Sequence, residues 1–403
     1  MANDTFFSTA HESITQAVSQ RYAQAVTNGE QMCCPTGYNH EELGKFIPDA
    51  VLKASYGCGT PVGLSTVQPG EVVLDIGSGG GIDCFEASRR VGSSGKVIGI
   101  DMTDEMLALA RTHAPTVATN LGYPISNVDF RKGMADTMPV EADSVDLIIS
   151  NCVINLAPNK DKVFQEMFRV IRPGGRFTIS DIVADQPIPN YMIHDTRKWG
   201  DCLSGALTIQ AYWGGLRQAG FRGLHQITVI PWRIIDGIHF LSVTLTGYKT
   251  LVSSAPMNPT FATFLGPFSK ITDEEGRTFQ RGNQQQIDEK TFALLSLPSY
   301  KGCFSFTAQP VPISEHDSRI VSIKPDNAPC LWEGHFAILM GPFLEGQDDD
   351  HHIFYSGDPL EICSKTIKVL SDPSYQPYFG LINRAKESPH ADPVICETTS
   401  GCC

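Results

Sequence analysis

The stretch that most restricts the fold is Glu71–Gly81, an apolar run EVVLDIG closed by an acid and followed by Ser78-Gly79-Gly80-Gly81. An apolar run without polar alternation reads as a strand buried on both faces, which belongs in a parallel sheet covered by helices. Glycines directly after it make a turn at the strand's carboxyl end, where the backbone must approach a ligand with no Cβ in the way. The following segments keep the alternation. Residues 82–91 read as helix, KVIGID (96–101) as strand and DEMLALARTHAPTVATNLG as helix. NVDFRKG, VDLIISNCVIN and GGRFTISDIV read as three more strands, with DKVFQEMFRVI as a helix between the last two. The pattern predicts a doubly wound, Rossmann-like α/β sheet. FRGLHQITVI and HFLSVTLTGYK resemble a closing strand pair, and residues 12–30 read as an N-terminal helix broken at Pro35.

A chain of 403 residues suggests two or three domains. Lys and Arg total 31 against 44 Asp and Glu, a net charge of −13, and no basic run appears. That balance argues against nucleic-acid binding, which needs a basic face. No run of apolar residues is long enough to span a membrane, and the N-terminus carries no secretory signal pattern. The expectation is a soluble, cytoplasmic protein whose twelve cysteines stay reduced. Their spacing matches no paired CxxC zinc site. Two adjacent pairs, Cys33-Cys34 and Cys402-Cys403, are unusual for core filling, and Cys396 shares with the second pair a polar tail expected to be disordered.

After about residue 252 the chain becomes strand-rich and repeats itself at a constant offset of 75 residues. Gly266-Pro267-Phe268 recurs as Gly341-Pro342-Phe343, Lys290-Thr291 as Lys365-Thr366, and Pro298-Ser299-Tyr300 as Pro373-Ser374-Tyr375. These identities, with Phe279/Phe354, Gly282/Gly357 and Phe304/Phe379, come without a gap and describe a duplicated unit of about 45 residues with one helix. The expected organisation is a thiol-bearing cap (1–60), a Rossmann-like domain (61–185), a third region with closing strands (186–252), and an α+β C-terminal domain (253–403). The two copies span 264–304 and 339–379.

The glycine turn fails the GxGxxG dinucleotide spacing, because the third position falls on Ile82 or Cys84. A nucleoside without a bound pyrophosphate fits better. Asp101, at the end of the second strand, is placed to accept from both ribose hydroxyls, and Asp136 from an adenine amino group. Asp75-Ile76-Gly77-Ser78-Gly79 together with Asp101 resembles the class I S-adenosylmethionine-dependent methyltransferases.

Four segments narrow this further: Tyr56-Gly57-Cys58-Gly59, Asp101-Met102-Thr103, Ser150-Asn151-Cys152-Val153-Ile154-Asn155-Leu156, and the stretch opening at Cys202-Leu203. In this order they resemble the arsenite S-adenosylmethionine methyltransferases, over about residues 15–250. Cys152 ends the fourth strand, where ligands bind in an open α/β sheet, while Cys58 precedes the first strand and Cys202 follows the fifth. Three thiolates converging there suit a soft trigonal ion such as As(III), and no histidine stands near to complete a zinc site. Cys84, on the helix after the glycine turn, reads as packing.

The resemblance implies a metalloid-binding region at Cys58, Cys152 and Cys202. It also implies a Cys33 or Cys34 thiol pairing with Cys58 during a redox step. The cofactor site would comprise Tyr56, Asp75, Gly77, Gly79, Asp101, Met102, Met134, Asp136 and Asn151. Substrates would be arsenite or its thiol conjugates and methylarsenite, the reductant glutathione or thioredoxin, and the acting species a monomer. The arsenic lone pair carries no proton, so no general base is required. Two other readings stay open: a methyltransferase acting on an organic acceptor with packing cysteines, and a thiol protein that sequesters metalloid without catalysis.

Overall fold

A computed structural model of the chain describes residues 2–28, 37–193, 195–200, 202–251, 260–311, 319–323, 331–332, 335–383 and 394–395. Cys33, Cys34, Cys396, Cys402 and Cys403 lie outside the described residues. The chain divides into two compact units, Met1–Phe221 with Ile227–Lys249, and Arg222–Gln226 with Thr250–Cys403. The three segments expected ahead of residue 252 lie almost entirely in the first unit. Among the described residues no helix is long and apolar enough to cross a membrane.

The first elements are α1 (Ala2–Asn28), α2 (His40–Leu43), α3 (Asp49–Lys53) and α4 (Pro61–Leu64). The alternating part runs β1 (Val72–Ile76), α5 (Ile82–Val91), β2 (Lys96–Asp101), α6 (Asp104–Asn120), β3 (Val128–Lys132), β4 (Val145–Asn151), α7 (Lys160–Val170) and β5 (Ile171–Ala184). Then come α8 (Asn190–Ile193), α9 (Thr196–Gly200), β6 (Leu207–Thr208), α10 (Ile209–Ala219), β7 (Arg222–Ile235) and β8 (Ile238–Tyr248). Helix α1 begins ten residues earlier than the apolar spacing predicts, because the segment ahead of it contains neither Gly nor Pro to stop a helix.

The strands form one sheet in the order β3-β2-β1-β4-β5-β8-β7, with β6 beside the end of β5. Strands β1 to β5 are parallel, and β8 runs antiparallel to β5 from Arg176↔Tyr248 to Ala184↔Phe240. Every residue of β4 is buried, as a central strand covered on both faces requires. Register aligns the ends of β1, β2 and β4, since Asp75 lies opposite Gly99 and Ile149 and the strands finish together at Ile76, Asp101 and Asn151. That shared edge carries the site.

The second unit displays its duplication element by element. In the first copy β9 (Thr260–Phe264), β10 (Lys270–Asp273), β11 (Thr278–Gln280), β12 (Gln284–Ile287), α11 (Glu289–Leu295) and β13 (Phe304–Thr307) follow one another. After β14 (Leu331–Trp332), the second copy has β15 (His335–Leu339), β16 (Phe343–Gln347), β17 (Ile353–Tyr355), β18 (Pro359–Ile362), α12 (Ser364–Leu370) and β19 (Phe379–Asn383). Strand β20 (Val394–Ile395) pairs with β14. In each copy the first strand sits between the fourth and the last, β12-β9-β13 and β18-β15-β19.

The copies join through β10 and β16, antiparallel, with Ile271 opposite Gly346, its equivalent at the 75-residue offset. Lys270↔Gln347 and Thr272↔Glu345 then exchange under the same offset, so the pair has an internal two-fold relation. Side chains obey it too. Tyr300 Oη donates to the Pro342 carbonyl at 2.7 Å and Tyr375 Oη to the Pro267 carbonyl at 3.2 Å. Phe268 packs edge-on against its own equivalent, Phe343, at 5.6 Å between centroids, inside one aromatic core that both copies supply. Phe268→Ala is therefore expected to cost about 3–5 kcal/mol by emptying that shared core. Denaturant unfolding followed by tyrosine fluorescence would measure the loss, and a change below about 1 kcal/mol would contradict a core built jointly by the copies.

Candidate active site

The common edge of β1, β2 and β4 opens into a cleft of about 1070 Å³, its open mouth included. Tyr56, Asp75, Gly77, Gly79, Asp101, Met102, Met134, Asp136 and Asn151 all line it, and so does Cys152. Cys58 and Cys202 do not. The lining also contains residues without a motif to announce them: Thr15 and Tyr22 from α1, Asp83 from α5, and Met106 near the start of α6.

The glycine turn works through Gly79. Its φ of +50° is left-handed, and a Cβ there would meet nothing nearer than Met106 Sδ at 4.0 Å, so the absent side chain leaves room for a ligand. Asp101 holds this turn, accepting from Gly79 N at 2.9 Å through one oxygen and from Thr103 N at 2.8 Å through the other. This structural role is compatible with the ribose contact expected for Asp101, because each carboxylate oxygen retains a second lone pair. Burial pushes its carboxyl above the ordinary value, against the pull of those two N–H groups.

Deeper in, burial and the neighbouring Asp83 raise Asp75 well above the usual carboxylate range. Burial takes Asp83 up to about 6, opposed by hydrogen bonds from Tyr38 and Asn151. Cys84 is buried and donates its thiol to Asp75 Oδ2 at 3.3 Å, so it partners an acid in addition to packing. Asn151, expected as a cofactor residue, lines the cleft and also acts as a clamp. Its Oδ1 accepts from Cys58 N at 3.0 Å and Gly59 N at 3.2 Å, and its Nδ2 donates to the Gly59 carbonyl at 2.8 Å. Gly57 permits this contact, since a Cβ there would stand 2.5 Å from the Asn151 amide.

The clamp delivers Cys58 to Cys152. Their sulfurs are joined in a disulfide, so the structure pairs Cys58 with Cys152, whereas the resemblance implied Cys33 or Cys34 as its redox partner. Cys202 is buried in the same cluster, with its Sγ 3.6 Å from the Cys152 carbonyl. A three-thiolate arrangement therefore first needs the disulfide reduced. Cys152 and Cys202 have φ of 57° and 60°. Left-handed backbone at a residue other than Gly, Asn or Asp costs on the order of 1 kcal/mol and persists where the surroundings dictate it, often at functional sites.

Asp181 was not anticipated. Its carboxylate lies with the Cys58 and Cys152 sulfurs in a group whose atoms are within 4.8 Å of one another. Fully buried on β5, it is pushed up to about 7, with Ile182 N and Asn155 N donating to it. Lys160 Nζ donates to the Asn155 and Ala157 carbonyls, and burial pushes it down to about 8. An acid inside the apolar strand run FTISDIV was the available signal, since buried carboxylates need a specific partner or purpose.

Residues 68–220 match a family described as a methyltransferase domain. Residues 261–328 and 326–402 each match a domain of unknown function. An arsenite methyltransferase from Halobacterium salinarum is 39% identical over 234 residues, covering 53% of this chain and 58% of that protein. Another from Mus musculus is 32% identical over 291 residues, covering 67% of this chain and 75% of that protein. The chain belongs to the arsenite methyltransferase family.

The chain thus spans less than two thirds of the Halobacterium relative's length. A solved arsenic(III) S-adenosylmethionine methyltransferase from Chlamydomonas reinhardtii is similar over 87% of this chain and 97% of its own, at 25% identity and a TM-score of 0.51. The sheet is that of a class I methyltransferase. The cleft fits S-adenosylmethionine by its own features: space at Gly79, an acid ending β2, and lining carboxylates that suit a ligand with net positive charge. Asp101→Ala releases the Gly79 and Thr103 N–H groups together. It is expected to weaken S-adenosylhomocysteine binding 10- to 100-fold by titration calorimetry, and an unchanged affinity would remove Asp101 from the cofactor site.

Proposed function

We propose that the chain transfers methyl groups from S-adenosylmethionine to trivalent arsenic held by Cys58, Cys152 and Cys202. The observation that carries this reading is the joining of Cys58 to Cys152, which lines the cleft, with Cys202 buried in the same cluster and its Sγ 3.6 Å from the Cys152 carbonyl; Cys152 and Cys202 both stand on left-handed backbone. Packing cysteines need neither feature.

The Cys58–Cys152 disulfide is an oxidised form of the pair. Two electrons and two protons, from glutathione or a thioredoxin-type dithiol, return it to two thiols. Those two thiols and that of Cys202 each displace one hydroxyl from arsenite, the thiol proton leaving with that hydroxyl as water, so three As–S bonds replace three As–O bonds. Thiolate ligation keeps the metalloid electron-rich, and its lone pair is the nucleophile.

Gly77, Gly79, Asp101 and the other lining residues would hold S-adenosylmethionine, whose sulfonium supplies an electrophilic methyl group. The protein's own contribution is alignment of the arsenic with the cleft, a positioning effect capable of large rate gains without a general base. Methyl transfer raises the arsenic formally from As(III) to As(V) and releases S-adenosylhomocysteine. Two of its thiolate ligands leaving together as a disulfide return it to trivalent methylarsenite, water replaces the departed sulfurs, and the reductant restores the thiols for a second round. All three thiols come from one unit of one chain, so a monomer suffices. The need for thiol reductant places the reaction in the reducing cytoplasm, where it would serve arsenic detoxification.

With S-adenosylmethionine, arsenite and glutathione, separation of arsenic species is expected to show methylated products from the wild type. Cys152→Ser and Cys202→Ser are expected to lose at least 100-fold in rate while still binding S-adenosylhomocysteine. Omitting the reductant should stop wild-type turnover. No methylated arsenic from protein that binds the cofactor product would overturn the reading, and an organic acceptor would then be the class to screen.

A further inference from the structure

The charged side chains lining the cleft are Asp75, Asp83, Asp101 and Asp136, and no Lys, Arg or His joins them among the described lining residues. Asp83 is the most constrained of these. It is 4% exposed, and its Oδ2 accepts from Tyr38 Oη at 2.5 Å and from Asn151 Nδ2 at 3.4 Å. Its Oδ1 is buried without any hydrogen-bond partner. A buried carboxylate oxygen is among the costliest groups to leave unsatisfied, so its missing donor is a pointer to a ligand. Asp75, the neighbouring acid, makes no hydrogen bond to it.

Asp83 also has a mechanical connection. Tyr38 Oη accepts from Asn151 Nδ2 at 2.9 Å while donating to Asp83, and the other end of the Asn151 amide accepts from the backbone N–H groups of Cys58 and Gly59. The Cys58 carbonyl of that loop in turn accepts from Ser242 Oγ at 2.7 Å. One short chain of hydrogen bonds thus runs from the cleft floor to the backbone of a thiolate-bearing residue.

We propose that Asp83 receives the α-ammonium group of the cofactor's amino acid moiety, and that Tyr38 and Asn151 transmit this occupancy to the Cys58 loop, coupling cofactor binding to order at the metalloid site. The metalloid end rests on the proposed function; the cofactor end does not. An ammonium donating to Oδ1 fixes the orientation of the Asp83 carboxylate. Tyr38 and Asn151 are then held from one side, and the loop N–H groups from the other. Tyr38 and Asn151 are positioning residues, and linkage requires the effect to be reciprocal, so a filled metalloid site would favour cofactor by the same factor.

The test uses the full chain reduced with a phosphine, and two nucleosides. S-adenosylhomocysteine carries the ammonium, and 5′-methylthioadenosine lacks it. Asp83→Asn is expected to weaken the first at least 10-fold in calorimetry while shifting the second less than 3-fold, and retained binding of the second reports an intact fold. Equal loss of both, or of neither, overturns the ammonium contact. Tyr38→Phe keeps the carboxylate and is expected to bind S-adenosylhomocysteine within 3-fold of wild type. Saturating S-adenosylhomocysteine should slow alkylation of Cys58, read by mass spectrometry, at least 5-fold in wild type and less than 2-fold in Tyr38→Phe. No protection in wild type, or full protection in the variant, overturns the relay. Arsenite affinity measured with and without S-adenosylhomocysteine should show the same contrast. Absence of arsenite binding beside the expected alkylation pattern would sink the metalloid reading and leave the relay standing.

Discussion

The grip of one amide on one loop organises the first unit. Asn151 ends β4 and is followed at once by Cys152, and its side chain holds the backbone of Cys58 and Gly59, nearly a hundred residues earlier in sequence. Because the amide is buried and satisfied at both ends, displacing the Cys58 loop would strand several donors and acceptors together, each worth roughly 1–3 kcal/mol when left unmade. That placement sets Cys58 beside Cys152, where the two form a disulfide next to the Asp181 carboxylate.

Electrostatics divides the site into two environments. The cleft is acidic, and burial raises Asp75 and Asp83 above the normal carboxylate range; a cation entering it would favour their charged forms. Around the cysteines an acid and a base are buried together, Asp181 pushed up to about 7 and Lys160 down to about 8. Each shift comes chiefly from lost hydration, and each moderates the other, since the lysine charge favours the carboxylate and the reverse.

The second unit solves a different problem. Each copy is too small to enclose its own aromatic face, and two copies of the same chain segment close one core around an internal two-fold relation. The equivalences carry chemical differences as well. Asp273 binds Arg277 in the first copy, and at the same offset Asp348 binds His352 in the second. A permanent cation in one copy is thus replaced by a titratable one in the other, which the Asp348 carboxylate holds above the usual histidine range.

Much of this was legible in the linear sequence because it depends on short-range rules. Apolar runs, glycine turns and helical spacing determine the order of β1 to β5 and the position of Gly79, and a 75-residue offset exposes the duplication without any coordinates. Residues whose positions follow from ending a strand, such as Asp101 and Cys152, could be placed at the cleft for the same reason. What only the tertiary structure decided are the contacts across long separations: Asn151 as a clamp, Asp83 with one unsatisfied oxygen, Asp181 beside the sulfurs, α1 contributing Thr15 and Tyr22 to the cleft, and Cys58 bonded to Cys152. Local spacing specifies which way a strand or helix faces. Which buried polar atom meets which partner is set by how the elements pack, because the cost of leaving that atom unpaired is felt only once water has been excluded.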